Sequence, residues 1–337
     1  MKHYLQLEQK LFVSKDMLFI KFIYILIFKC KPFLPNDFRG KINKIILYIK
    51  IFLKSRSKVI SLPLKGDIAL KVSDINYKVI SLRIKTVSFL YEKQYSNLVE
   101  NQFYLSKLQS MVHVINWDEE NRILNELYIN GMHPTASSLL NNHNSIKNLM
   151  ENLINSSEVK EIKTEDYINY LFNQIRKELK TNTIYITDAQ KKKINDYCYQ
   201  TYKKLIDELT LKKVPQVISH GDVSCKNVII KDGGFHLIDW EYCNFRSPYF
   251  DINFLINTLL DDDSRYSKEI NDVKTFKKSI LQNLNCRRDI FDFFQVDIYI
   301  LECLFMMEYI LLVLNQIKYR DFAKDINKYI IEKINIE

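Results

Sequence analysis

Between residues 41 and 54, apolar side chains recur at helical spacing, at Ile42, Ile45, Ile46, Ile49, Phe52 and Leu53. Lys44, Lys50 and Lys54 interrupt them. Steps of three and four residues put such positions on one side of an α-helix. The stripe predicts a basic amphipathic helix, one that packs on the domain after it or lies on a membrane surface, packing being the commoner use. Further along, the period shortens to that of strands. Asp67–Val72 and Lys78–Lys85 are predicted to pair through a turn over residues 73–77. In the second run Ile80, Leu82 and Ile84 share one face, with Val79, Ser81, Arg83 and Lys85 on the other. Leu98–Leu108, which contains Glu100, reads as a helix. Val112–Ile115 and Arg122–Tyr128 read as a hairpin, and Asn130-Gly131 breaks the chain.

After Gly131 the character changes. Residues 135–212 are polar, with Leu, Ile and Tyr at helical intervals. Three short β-rich runs follow at Val214–Ile218, Asn227–Ile230 and Phe235–Ile238, the last two separated by Lys231-Asp232-Gly233-Gly234. Helical pattern returns from Asp251 and ends in an apolar segment, Ile298–Leu314, whose Lys and Glu interruptions argue against a bilayer span. The pattern divides the chain into a basic helical extension (1–57), a small β-rich lobe (58–130) and a larger, mainly helical lobe (131–337). The predicted class is α+β.

Composition narrows the function classes. Lys and Arg exceed Asp and Glu by 49 − 40 = 9, a weak steering field for phosphates or an anionic surface. No aromatic-basic signature of nucleic-acid binding accompanies it. The six cysteines form no CxxC pair and no zinc spacing. They predict free thiols in a reducing compartment, with Cys225 and Cys243 as buried spectators. Met17–Phe28 is too short for a membrane span, and Lys29-Cys30-Lys31 stands where a signal peptide would need small residues. The expected location is the cytoplasm, with peripheral contact at the inner membrane face available to residues 1–55.

The chemistry is concentrated in residues 217–255, VISHGDVSCKNVIIKDGGFHLIDWEYCNFRSPYFDINFL. His220-Gly221-Asp222 is followed by Asn227, then by Asp239 at the end of a hydrophobic run, then by Asp251. Phosphoryl transfer needs a group that orients the acceptor hydroxyl and takes its proton, and positive charge on the phosphates. Magnesium accepts a few hard oxygen ligands and retains water and phosphate oxygens, so one Asp and one Asn carbonyl suffice. A tight loop at Asp222, with Asn227 entering a strand and a hairpin returning Asp239, would bring base and metal ligands to one edge.

This segment resembles the catalytic segment of aminoglycoside phosphotransferases, choline and ethanolamine kinases and bacterial glycan kinases. More distantly it resembles protein kinases, in which an Arg usually replaces Gly221. The resemblance implies a bilobal protein-kinase-like fold and an enzyme that moves the γ-phosphoryl group of ATP, with Mg²⁺, to a hydroxyl of a sugar, aminoglycoside-like molecule or glycan. Choline or ethanolamine kinase, and a catalytically weak pseudokinase binding module, are its alternatives. By the resemblance Asp222 is the catalytic base, Asn227 and Asp239 hold magnesium, Asp251 braces the loop and His220 is structural. It also implies a strand cation at Lys85, or Arg83, contacting phosphates beside Glu100, and an adenine-binding backbone over Glu126–Tyr128. One departure stands out. The small lobe has no glycine-rich phosphate loop, Gly66 being the only glycine between residues 41 and 130. For the acceptor, the acidic run Asp261–Asp263 and the rings of Tyr242, Phe245 and Tyr249 offer cation-binding chemistry, against the commoner roles of solvated cap and packing.

Overall fold

In the computed structural model, the described residues are 1–28, 37–53, 58–72, 76–109, 111, 113–140, 143–182, 184–262, 273–317 and 325–336. The chain forms two compact units, the first of residues 1–97 and 113–129, the second of 98–112 and 130–337.

The first unit is built on an antiparallel sheet. Its strands are β1 (Lys2–Gln6), β2 (Leu11–Ser14), β3 (Val59–Leu62), β4 (Ile68–Lys71), β5 (Tyr77–Ser81), β6 (Thr86–Leu90), β7 (Val114–Asp118) and β8 (Ile123–Leu127). They lie in the order β3-β1-β2-β4-β5-β6-β8-β7. Helices α1 (Phe19–Phe28) and α2 (Phe38–Leu53) cover one face. There Phe22, Ile25, Leu26 and Tyr48 are fully buried against Leu5, Leu11, Val13 and Ile68, and Phe22 stacks on Phe52 with ring centroids 4.0 Å apart. A second cluster gathers Tyr4, Phe12, Leu62, Leu64, Ala69 and Val79.

Three features of this unit revise the expected pattern. Residues 1–57 hold the expected helices but also β1 and β2, so they are part of the sheet unit and not an appended extension. All four residues of β2 are buried, so the strand lacks the polar-apolar alternation that would reveal it. The run expected over Lys78–Lys85 ends at Ser81. Residues 82–85 turn, with Lys85 at φ +52°, and a strand absent from the sequence reading, β6, follows. Alternation of Ile80, Leu82 and Ile84 continues through the turn and hides it. Gly66 is required by packing, since a Cβ there would lie 2.4 Å from Val79 Cγ1 and 2.8 Å from the Ile80 carbonyl. The expected turn over residues 73–77 lies partly outside the described residues.

The second unit is mainly helical. Its elements are α3 (Ser96–Leu105, which starts in the first unit), α4 (Ala136–Leu140), α5 (His143–Asn155), β9 (Lys160–Lys163), α6 (Thr164–Thr181), α7 (Asp188–Glu208), β10 (Lys213–Ser219), β11 (Val228–Lys231), β12 (Gly234–Leu237), β13 (Asn244–Arg246) and α8 (Tyr249–Asp262), then helices Val273–Gln282 and Ile298–Gln316. Strands β13-β10-β9 form one sheet, and β11-β12 the expected hairpin. Thr187 and Gln190 close a capping box at the start of α7. Helix Ile298–Gln316 is long and apolar enough to span a bilayer, contrary to the reading of its charges. Most of it is buried in the unit, against α6, α7 and α8, which accounts for its composition. Cys198, Cys225, Cys243 and Cys303 are buried free thiols.

Candidate active site

The expected site residues of the second unit converge on the loop between β10 and β11. Strand β10 is buried on both faces, from Val214 to Ser219, and delivers His220-Gly221-Asp222 to its end. Gly221 has φ +85°, and a Cβ on it would lie 2.5 Å from the Tyr242 carbonyl. Only glycine fits both conditions. An Arg here, as in protein kinases, would need a different path for residue 242.

Asp251, in the first turn of α8 and 3 % exposed, ties the loop down. Its Oδ2 accepts from the His220 N–H at 2.7 Å and its Oδ1 from the Gly221 N–H at 3.0 Å. His220 is fully buried, its ring 4.7 Å from that of Trp240. Its Nδ1 accepts the Asp222 N–H at 3.2 Å, so Nε2 carries the proton and donates to the Ile238 carbonyl at 2.8 Å. Burial lowers the His220 pKa, which agrees with a neutral ring. The histidine thus links the loop at Asp222 to the segment leading into Asp239.

Asp222 is half-buried and receives the Asn227 Nδ2–H on Oδ2 at 3.0 Å, while the same amide nitrogen donates to the Asp222 carbonyl at 2.9 Å. Burial raises the Asp222 pKa to about 7, reinforced by the charges of Asp239 and Glu241 and opposed by the Asn227 hydrogen bond. Asp239 sits at φ +67°, a conformation that costs a non-glycine residue of order 1–3 kcal/mol and that gathers at functional sites. Glu241 has no role in the sequence reading, although its place two residues after Asp239 could have suggested one.

Two further supports were also beyond the sequence reading. Arg246 is buried and donates to Ser219 Oγ at 3.1 Å and to the Tyr242 carbonyl at 3.0 Å. Glu308, 2 % exposed in helix Ile298–Gln316, accepts from the Ser247 N–H at 2.7 Å and Oγ–H at 2.8 Å, and from the Tyr167 hydroxyl. A lone acid inside the apolar run LFMMEYILL is the signal that could have found it, since buried acids need partners.

Asp222 and Asn227 line a cavity of about 460 Å³ together with Tyr242, Phe254, Tyr309 and Tyr329. Asp222 is the one acid among its described lining residues. Of the other rings proposed for an acceptor, Phe245 lines a separate cavity of about 310 Å³, and Tyr249 is fully buried in the core. Asp261 and Asp262 end α8, while Asp263 lies outside the described residues.

Among the described residues, no three His, Cys, Asp or Glu side chains form a self-sufficient metal site. The donor set still fits magnesium. Asp239, Glu241 and the Asn227 amide supply hard oxygens, and the mutual repulsion recorded in the raised Asp222 pKa is what a divalent cation would relieve.

The expected nucleotide contacts fare differently. Lys85 and Arg83 are exposed in the turn after β5, not in a strand. Glu100 is an exposed residue of α3. Glu126 lies in β8, paired with Val87 on one side and Val114 on the other. The Tyr128 N–H donates to the Lys85 carbonyl at 2.8 Å, and is therefore used within the sheet rather than open to an adenine. An interior strand satisfies its backbone on both sides, which the sequence of β8 alone did not reveal.

Comparison with known proteins gives the fold and the family. An ethanolamine kinase from Plasmodium vivax superimposes with a TM-score of 0.53 at 14% identity, over 77% of this chain and 78% of that one. A choline kinase from Streptococcus pneumoniae gives 0.49 at 16% identity, over 79% and 92%. No curated protein sequence matches the chain. The sequence model of the ecdysteroid kinase-like family matches residues 92–286, more than half of the chain and all of the loop, hairpin and α8 described above. The chain belongs to the ecdysteroid kinase-like family and is a small-molecule kinase of protein-kinase-like fold.

Proposed function

We propose that the protein transfers the γ-phosphoryl group of magnesium-bound ATP to a hydroxyl of a small molecule held in the cavity beside Asp222. The observation that carries this reading is that Asp222 and Asn227 line that cavity on a loop held from behind by the buried His220 and Asp251. Asn227 and Asp239, with Glu241 near them, would hold the metal, which supplies charge neutralisation on the phosphates when bound. Asp222 is the base. Its pKa near the working pH suits it to take the acceptor hydroxyl proton as the oxygen–phosphorus bond forms and the β,γ-bridging bond breaks, ADP leaving with the electron pair. The hydrogen bond from Asn227 fixes one carboxylate oxygen and orients the other toward the acceptor. Asp251 and His220 keep the loop from moving.

The cavity also bears on the acceptor. Tyr242, Phe254, Tyr309 and Tyr329 line it, and its described lining has a single acid, Asp222, and a single basic side chain, Lys226. A polycationic acceptor needs several carboxylates, so the lining favours a hydroxylated acceptor with an apolar body and little or no net charge. The family's ecdysteroid-kinase name points the same way.

An ATP-consumption screen over hydroxylated sterols, choline, ethanolamine, sugars and aminocyclitols tests the proposal, with Asp222→Asn alongside. Turnover on at least one acceptor, abolished by chelation and lowered on the order of 10²–10⁴-fold by the substitution, is expected. Turnover unaffected by Asp222→Asn would refute the assigned base. Because Gly66 serves packing and no glycine-rich loop is present, a nucleotide-binding module without turnover is the second reading. Binding of Mg-ATP with no transfer to any acceptor would favour it.

A further inference from the structure

Of the stripe first read in α2, Ile45, Ile49 and Phe52 pack on the sheet, whereas Ile42, Ile46 and Leu53 are exposed, so the two N-terminal helices carry apolar side chains that the core does not use. On α1, Ile20 is 84% exposed, and Tyr24 and Ile27 follow it at i+4 and i+7 with 48% and 43%. On α2, Ile46, Leu47 and Leu53 are exposed, Leu53 to 67%, while Tyr48 between them is fully buried. A helix that only covers a sheet would have a polar outer face. Here the exposed helix positions that are not apolar are Arg39, Lys41, Asn43 and Lys50, three of the four basic. Arg39, Lys41 and Lys50 are exposed and make no ion pair with a described residue. Residues 17–53 contain Lys21, Lys29, Lys31, Arg39, Lys41, Lys44 and Lys50 against one acid, Asp37; Lys21 pairs with Asp67 and Lys44 with Glu8, and the others carry the surplus.

We infer that the outer face of α1 and α2 binds an anionic lipid surface. The charge decides between occupants. A second copy of this strongly basic segment would bring like charges together, whereas acidic headgroups neutralise the lysines as the isoleucines and leucines enter the acyl boundary. The sheet supplies the rigidity. Phe22, Ile25, Leu26 and Tyr48 anchor both helices from below, so the face exists before any membrane is met and no ordering of a free peptide opposes binding. The face shares no residue with the proposed phosphotransfer site, so it stands whether or not that reading does.

The test is co-sedimentation of the full chain with vesicles of phosphatidylcholine alone and of phosphatidylcholine mixed with phosphatidylserine. Binding only to the mixed vesicles, weakened by salt, is expected. Each basic residue removed should weaken it about fivefold, so Lys41→Ala/Lys50→Ala should lose roughly 25-fold, and Ile20→Asp/Leu53→Asp should abolish binding. All four positions are exposed, so thermal midpoints should match the parent and separate lost binding from lost folding. The inference is overturned if the protein binds neither vesicle, binds both equally, or binds unchanged in either variant. It is equally overturned if the protein forms a concentration-dependent dimer that Ile20→Asp/Leu53→Asp dissociates while vesicle binding is absent.

Discussion

Asp222, the proposed base, is also a burden on the stability of the protein. In the folded protein its carboxyl is held to about 7, against 3.8 for an ordinary aspartate, chiefly by burial. Between those values the native state holds a proton that the unfolded chain has released. Stability therefore falls as pH rises across that window, and the full cost is present above pH 7. Asp222→Asn should consequently lose turnover and yet melt higher than the parent at pH 8 without divalent cation, the gap narrowing toward pH 4. Melting curves of both proteins across that range check this, and an Asp222→Asn protein less stable at pH 8 would contradict it. Gly221 behaves oppositely. Gly221→Ala meets a carbonyl at 2.5 Å in a left-handed conformation. It should cost about 1–3 kcal/mol and, by displacing Asp222, reduce kcat on the order of 10²-fold, measurable by urea unfolding and steady-state kinetics.

At the scale of elements, the loop is held by pieces distant in sequence. Helix α8 offers Asp251 to the backbone of residues 220 and 221, and helix Ile298–Gln316 offers Glu308 to Ser247 just ahead of α8. Arg246 bridges β10 to residue 242. Removing one member leaves buried donors without partners. Glu308→Leu strands the Ser247 N–H and hydroxyl and the Tyr167 hydroxyl beside the buried Arg246 guanidinium, and should cost at least about 3 kcal/mol. A shift of the urea midpoint measures the loss. Because α8 carries Asp251, activity should fall as well, although Glu308 touches no reactant.

For the whole molecule, the proposed function predicts that stability depends on cation and nucleotide. A ligand at a hundredfold excess over its Kd stabilises the native state by about 2.7 kcal/mol. Mg-ATP should therefore raise the melting temperature of the parent. Asp239→Asn should reduce that shift while leaving the fold intact, since the amide keeps the shape of the carboxylate. Differential scanning fluorimetry with and without Mg-ATP makes the comparison. An equal shift in Asp239→Asn would remove Asp239 from the metal site.

The sequence by itself determined what is local. The HGD–Asn–IDWE–Asp spacing placed Asp222, Asn227, His220 and Asp251 within one segment, short enough that a turn, a hairpin and a helix start bring them together. The β11-β12 hairpin and α8 were legible for the same reason. What depends on partners far along the chain was decided only by the tertiary structure. Burial on both faces conceals β2, a continuing alternation conceals the turn at Lys85, and the ladder to β6 and β7 decides that the Tyr128 amide is used within the sheet. Arg246 and Glu308 acquire their roles from neighbours 27 and 61 residues away. The outer face of α1 and α2 shows the division most plainly. Periodicity revealed a stripe, but only the packed sheet shows which apolar side chains it covers and which it leaves to the solvent.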